Sequence, residues 1–139
     1  MKVVFGSDER TNLTDMVPGI VSEMGHDVEV VSVGEDWAKV GRLVAELVAS
    51  GSAERGLLCC TTGTGVTIAA NRVRGTRAAL CTDSETAVGA RRWNDANVLA
   101  FSLRLTTEAL LTEMLTAFFD TPFDPSESAS LDCLDQIDG

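Results

Sequence analysis

The segment Cys59-Cys60-Thr61-Thr62-Gly63-Thr64-Gly65 runs two adjacent thiols directly into a glycine-rich turn. Cys60 closes an apolar run, and Val66 to Asn71 have a helical composition. Three effects meet at such a junction. Backbone N–H groups of a glycine-permitted turn converge on one oxyanion. The amino end of the following helix adds positive potential. The same field favours the thiolate form of a neighbouring cysteine, which makes Cys60 a candidate proton-abstracting base. An aldose–ketose isomerase needs this pairing: a base beside the carbon that yields its proton, and donors around the oxygen that gains charge. Taken alone, the two cysteines read first as small buried hydrophobes on a central strand. The Gly-x-Gly turn alone reads as a tight strand-to-helix connection.

The elements that must position this turn alternate along the chain. Runs rich in apolar and β-branched residues at 3–5, 28–33, 56–60, 77–81 and 97–101 predict five strands, covered on both faces. Helical patterns lie between and after them at 13–25, 35–50, 65–72, 84–92 and 106–120. In the second, Trp37, Val40, Leu43, Val44 and Leu47 form the apolar stripe and Gly51 marks the end. Pro18 makes the first helix start late or bend. Thr106 or Thr107 caps the last helix, whose stripe runs through Leu110, Leu111, Met114, Leu115 and Phe118.

This order predicts a single-domain α/β protein with a doubly wound five-stranded parallel sheet between two helical layers. Ligands of such sheets sit beyond the carboxyl ends of the strands, where strand order reverses. Three loops qualify: Gly6-Ser7-Asp8, Thr61 to Gly65, and Thr82-Asp83. The α/β domain is expected over 1–123. Residues 124–139 carry no basic side chain and read as an acidic tail or a short docking helix with Leu131, Leu134 and Ile137 on one face.

Composition narrows the function. The 139 residues are 45% hydrophobic, with 21 acidic against 11 basic side chains and a net charge of −10. That field repels a phosphate backbone and argues against nucleic-acid binding, although a local cluster of donors still admits a small anion. No apolar run reaches the ~20 residues of a membrane span, and the amino terminus reads as a strand rather than a signal peptide. The four cysteines do not form a disulfide framework, which points to a reducing, cytoplasmic setting. The single histidine, His26, has no metal-ligand spacing to them, so neither a metal nor a cofactor is expected.

The run from Gly56 to Asn71 resembles the signature of the ribose-5-phosphate isomerase B family, which includes the galactose-6-phosphate isomerase subunits. Gly6-Ser7-Asp8, Arg77-Ala78-Ala79-Leu80-Cys81 and Asn94-Asp95-Ala96-Asn97-Val98-Leu99-Ala100 are similar to further family blocks, colinear from Met1 to about Phe123. The resemblance implies a flavodoxin-like fold and a homodimer or tetramer with active sites shared between subunits. It implies Cys60 as the base, Thr61, Thr62, Gly63, Thr64 and Gly65 as the anion hole, and Thr62 as an aid to ring opening or proton transfer. It also implies Asp8 as a contact to substrate hydroxyls, and Asn94 as another from across the interface.

The departures are specific. Glu9 and Trp93 stand where family members usually carry histidine, and His26 matches a structural one. The stretch after strand 2 is short, and the acidic tail lacks the family's phosphate-binding arginines. Glu9 is therefore the candidate replacement for the missing acid–base group. Trp93 is a candidate to stack on substrate or to fill an interface. Arg10, Arg72, Arg91 and Arg92 are the available cations, each also readable as a solvated surface arginine. The expected function is isomerisation of a small sugar or sugar phosphate. The alternatives are a non-catalytic or site-sharing partner of a related isomerase subunit, and a module that binds a small polyol or anion.

Overall fold

A computed structural model describes residues 1–138. Its order is β1 (Lys2–Ser7), α1 (Asn12–Glu23), β2 (Asp27–Val33), α2 (Trp37–Ala49), β3 (Arg55–Cys60) and α3 (Thr64–Asn71). Then come β4 (Ala78–Leu80), α4 (Ser84–Arg92), β5 (Val98–Ser102), α5 (Glu108–Asp120), a 3-10 turn at Pro125–Glu127, and α6 (Ser128–Asp138). The strands form one parallel sheet in the order β2-β1-β3-β5-β4. Strand order reverses between β1 and β3, so their carboxyl ends flank the crevice where such sheets bind ligands.

Alternation along the strands divides the core in two. Val3, Phe5, Leu57, Cys59, Leu99 and Phe101 pack against α1, α4 and α5. Val4, Leu58, Cys60, Val98 and Ala100 pack against α2 and α3. Cys59 and Cys60 therefore face opposite layers. Burial is nearly complete along β1, β3 and β5, and each fully buried Leu or Phe there contributes roughly 2 kcal/mol of transfer free energy.

Helix α2 buries Val40 and Val44 of the expected stripe together with Gly41, Ala45 and Val48, and leaves Trp37 and Leu43 exposed. Gly41 is the reason. A Cβ there would lie 2.7 Å from the Ala69 Cβ and 2.9 Å from the Val66 carbonyl oxygen, so α2 rolls its small residues onto α3. Gly51, at φ +83°, follows the end of α2 as expected. Thr107, not Thr106, caps α5. Helix α1 does not start late. Thr11 and Thr14 form a reciprocal capping box that begins it at Asn12, and Pro18 lies inside it.

Strand β4 is an edge strand, and Asn71 at the end of α3 closes it. Its side chain donates to the Ala78 carbonyl at 2.9 Å and accepts from the Ala78 amide at 2.8 Å, replacing a neighbouring strand. Residues 128–138 form a helix with no buried residue; Ile137 is 77% exposed. Among the described residues, no helix is long and apolar enough to cross a membrane.

Candidate active site at the strand-order reversal

The loop after β1 is locked by Ser7. Its hydroxyl donates to the Glu9 carbonyl at 2.6 Å and accepts from the Glu9 amide at 3.3 Å. This aims the Glu9 carboxylate across the crevice, where it accepts a hydrogen bond of 3.1 Å from the Thr61 hydroxyl. Two loops separated by 52 residues thus meet above the reversal point.

The loop after β5 fixes the other side of the turn. Ser102 Oγ and the Arg104 amide each donate to the Thr61 carbonyl at 3.0 Å, and the Leu103 amide donates to the Cys60 carbonyl at 3.0 Å. Ser102 is buried, and its oxygen also accepts from the Arg104 and Leu105 amides. Ser7 and Ser102 are positioning residues that local pattern does not disclose, because their partners lie in other loops or two to three residues along a turn.

Gly63 turns the chain into α3 with φ +78°. A Cβ there would also meet Leu80 Cδ1 at 2.5 Å and the Phe101 carbonyl at 3.0 Å, so conformation and space both demand glycine. Gly63 has no side chain to cap α3; the Thr64 amide donates a long hydrogen bond of 3.4 Å to the Thr62 hydroxyl. The first turn of α3 thus presents amide donors at the carboxyl edge, with the helix dipole behind them.

The cysteines divide by environment. Burial pushes the Cys59 thiol up to about 12, against a hydrogen bond with the Ser7 side chain. Burial also pushes Cys81 up to about 12, with Asp83 adding to the effect. Those two thiols stay protonated and inert. Cys60 is buried as well, at 5% exposure, but it sits at the last position of β3 directly before the turn and on the opposite, α2–α3 face. All four cysteines are unpaired with one another.

Asp8 is half-buried, and its Oδ1 is buried without a hydrogen-bond partner. Burial raises its carboxyl above the ordinary value of 3.8, and the Glu9 and Asp36 carboxylates add to that shift while its own backbone amide opposes it. A carboxyl so placed is a ready acceptor for a ligand hydroxyl.

Three expected site residues lie elsewhere. Arg10 pairs with Asp15 at 3.0 Å and lines a separate cavity of about 350 Å³ with Thr14, Pro18 and Val33. Trp93 and Asn94 follow α4, the helix that returns to the amino edge of the sheet. They line one end of a groove of about 540 Å³ that runs along α4 past Gly89 and Thr86 to Leu80 at the carboxyl end of β4. A Cβ at Gly89 would lie 2.8 Å from the Trp93 ring, so the indole folds back onto α4. The Thr82-Asp83 loop serves α4: Asp83 Oδ1 accepts from the Thr86 amide at 2.7 Å, which holds this carboxyl below its ordinary value.

The solvated-arginine reading fails for Arg91, which is 6% exposed. It donates to Asp95 Oδ1 at 2.8 Å, the Ala96 carbonyl at 2.7 Å and the Thr121 carbonyl at 3.3 Å. Arg77 donates to the Asp95 carbonyl at 2.7 Å, and Asn97 brackets Arg77 and Gly75. Within the Asn94-to-Asn97 block, Asp95 and Asn97 are therefore framework. His26 lies with its ring centroid 4.5 Å from that of Phe119, far in the fold from any role at Cys60.

Comparison with known proteins gives a consistent result. A family model described as Ribose/Galactose Isomerase matches residues 3–137, past the Phe123 at which the sequence resemblance stops. The chain is 36% identical over 131 residues to the "Putative sugar phosphate isomerase YwlF" of Bacillus subtilis, covering 88% of this chain and 87% of that protein. It is 37% identical over 125 residues to the "DNA damage-repair/toleration protein DRT102" of Arabidopsis thaliana, covering 88% of this chain but only 40% of that longer protein. Among solved structures, Clostridium thermocellum ribose-5-phosphate isomerase B superposes with a TM-score of 0.93 at 32% identity, covering 99% of this chain and 97% of that one.

Proposed function

This chain belongs to the ribose/galactose isomerase family, and from that premise we propose that it interconverts an aldose and a ketose of a small sugar or sugar phosphate. The observation that carries the reading is the meeting of Cys60, the Glu9–Thr61 hydrogen bond and the uncapped first turn of α3 at the strand-order reversal. In this mechanism the Cys60 thiolate takes the proton from the carbon beside the carbonyl. The electron pair moves onto the carbonyl oxygen, and the enediolate accepts hydrogen bonds from the amides of Thr61, Thr62, Gly63, Thr64 and Gly65. Glu9, with the Thr61 hydroxyl on it and the Thr62 hydroxyl assisting, moves the proton between the two substrate oxygens, in place of the histidine. Cys60 then returns its proton to the neighbouring carbon. Asp8 accepts from a substrate hydroxyl.

Asn94 and Trp93 lie at the sheet edge opposite Cys60, so they reach a site of this kind only from a second copy. That supports a homodimer or tetramer with shared active sites, acting in the cytoplasm. The test is to incubate the protein in heavy water with phosphorylated and plain four- to six-carbon sugars. Deuterium at the carbon beside the carbonyl, with aldose–ketose interconversion, is the expected result. No exchange with any sugar removes the reading.

The missing histidines and C-terminal arginines favour one second reading, in which the chain completes the site of an unlike isomerase subunit. It predicts stable association with a histidine-bearing homologue from the same cell. A pull-down that recovers self-association alone contradicts it.

A further inference from the structure

Trp37 is the first residue of α2, and its indole is 43% exposed although the helix has a well-filled face of its own. The core does not account for it. Its inner edge rests on Gly65: a Cβ on that glycine would lie 2.9 Å from both Cδ2 and Cε3 of the indole. Gly65 has an ordinary helical conformation, so the ring, and not the backbone, requires glycine there. The ring therefore lies directly on the first turn of α3, the turn that presents the amide donors.

Trp37 also shares a side of the sheet with Cys60. Cys60 faces the α2–α3 layer, and α2 begins at the carboxyl edge immediately after β2. Gly6, two residues before Asp8, faces that layer too, since a Cβ there would meet Val40 and Val44. The preceding residue, Asp36, is close enough for its charge to act on Asp8. Asp36 also fixes the start of α2, accepting from the Ala38 amide at 3.0 Å. A half-exposed aromatic ring is thus seated on the donor turn, on the side of the sheet that Cys60 faces.

We propose that Trp37 is the apolar wall of this site and its specificity-determining residue, stacking on the C–H face of the substrate and limiting the length of its carbon chain. The proposal rests on the isomerase reading above. An open-chain sugar carries hydroxyls along its edges and C–H groups between them. Asp8, Glu9 and the threonines of the turn are polar, and the indole supplies a flat apolar surface that matches those C–H groups. Because its inner edge is trapped on Gly65, the ring cannot retreat to admit a longer chain. Longer carbon chains are therefore disfavoured relative to shorter ones.

The experiment measures kcat and KM for wild type, Trp37→Phe and Trp37→Ala over four-, five- and six-carbon sugar phosphates, with tryptophan emission followed on titration of the same sugars. Trp37→Ala is expected to raise KM for the short substrates about tenfold while kcat changes less than about threefold. It also raises kcat/KM for six-carbon relative to four-carbon substrates. Trp37→Phe keeps a ring and stays within about threefold of wild type in KM. An unchanged KM and chain-length ranking in Trp37→Ala overturns the proposal. So does a fall in kcat alone, which is the signature of a ring that merely braces the turn. If wild type turns over none of the sugars, the isomerase reading fails. The wall is then judged by emission: quenching lost in Trp37→Ala supports it, and no quenching overturns it.

Discussion

The two edges of the sheet are built from similar residue types and do opposite things. At the amino edge, Arg77, Arg91, Asp95 and Asn97 satisfy one another and the surrounding backbone through contacts of 2.7 to 3.3 Å. At the carboxyl edge, Asp8 has a buried oxygen without a partner, α3 has no side-chain cap, and Trp37 is half-exposed. Saturated polar groups hold a structure in one state. Unsaturated ones held by rigid neighbours wait for something to bind. The difference separates a framework from a site, and it does so where residue identity does not, since both edges contain aspartate, asparagine or threonine beside glycine.

Substitutions at the two edges are expected to separate stability from activity. The largest stability effect belongs to the amino edge. Asp95→Ala leaves the buried Arg91 guanidinium without its carboxylate and is expected to cost about 3 kcal/mol in denaturant unfolding. Any activity measured below the lowered melting point stays near wild type. A loss below 1 kcal/mol would place Arg91 among ordinary surface arginines. Gly63→Ala comes next, at about 2 kcal/mol, because it combines positive φ with contact against Phe101. It should also lower turnover out of proportion to stability, since the donor turn moves. If both properties fell together, the turn would be framework as well.

The smallest effect has the opposite sign. The Asp8 carboxyl is raised in the folded state, so its ionisation works against folding as pH rises through that raised value, and the full cost is present at neutral pH. Asp8→Asn is therefore expected to raise the melting temperature slightly at pH 7. The gain disappears below the ordinary aspartate value, where both states are protonated. Substrate affinity should fall at the same time. A melting temperature that drops at pH 7 would show that Asp8 is a structural carboxylate and not part of a waiting site.

Much of this contrast was legible in the sequence, and the reason is local. Five apolar runs, the Gly51 stop and the chemistry packed between Cys60 and Gly65 are all properties of short segments. So is the switch from strand to helix that puts Cys60 beside a helix amino end. What stayed hidden depends on which segments meet. Arg91 reads as a surface arginine until Asp95, Ala96 and Thr121 close around it. Trp37 reads as core until Gly41 rolls α2 onto α3 and turns the indole toward Gly65. Ser102, which orients the turn, has no signature, and Ser7 is legible only as part of Gly6-Ser7-Asp8 and not as the lock on Glu9. The separation of Asn94 from Cys60 was available to topology, because a helix following a parallel strand must return to the amino edge.

Cys59 and Cys60 compress the comparison into adjacent residues: one thiol sealed in the α1–α4–α5 layer, the other ending β3 at the turn. Carbonyl-adjacent deuterium exchange, measured in heavy water for Cys59→Ser and Cys60→Ser alongside wild type, separates the two thiols. Exchange is expected to fall by about a hundredfold or more in Cys60→Ser. Cys59→Ser, for all the stability it loses, keeps wild-type exchange per folded molecule. Exchange undiminished in Cys60→Ser, with wild type active, would remove Cys60 from the chemistry.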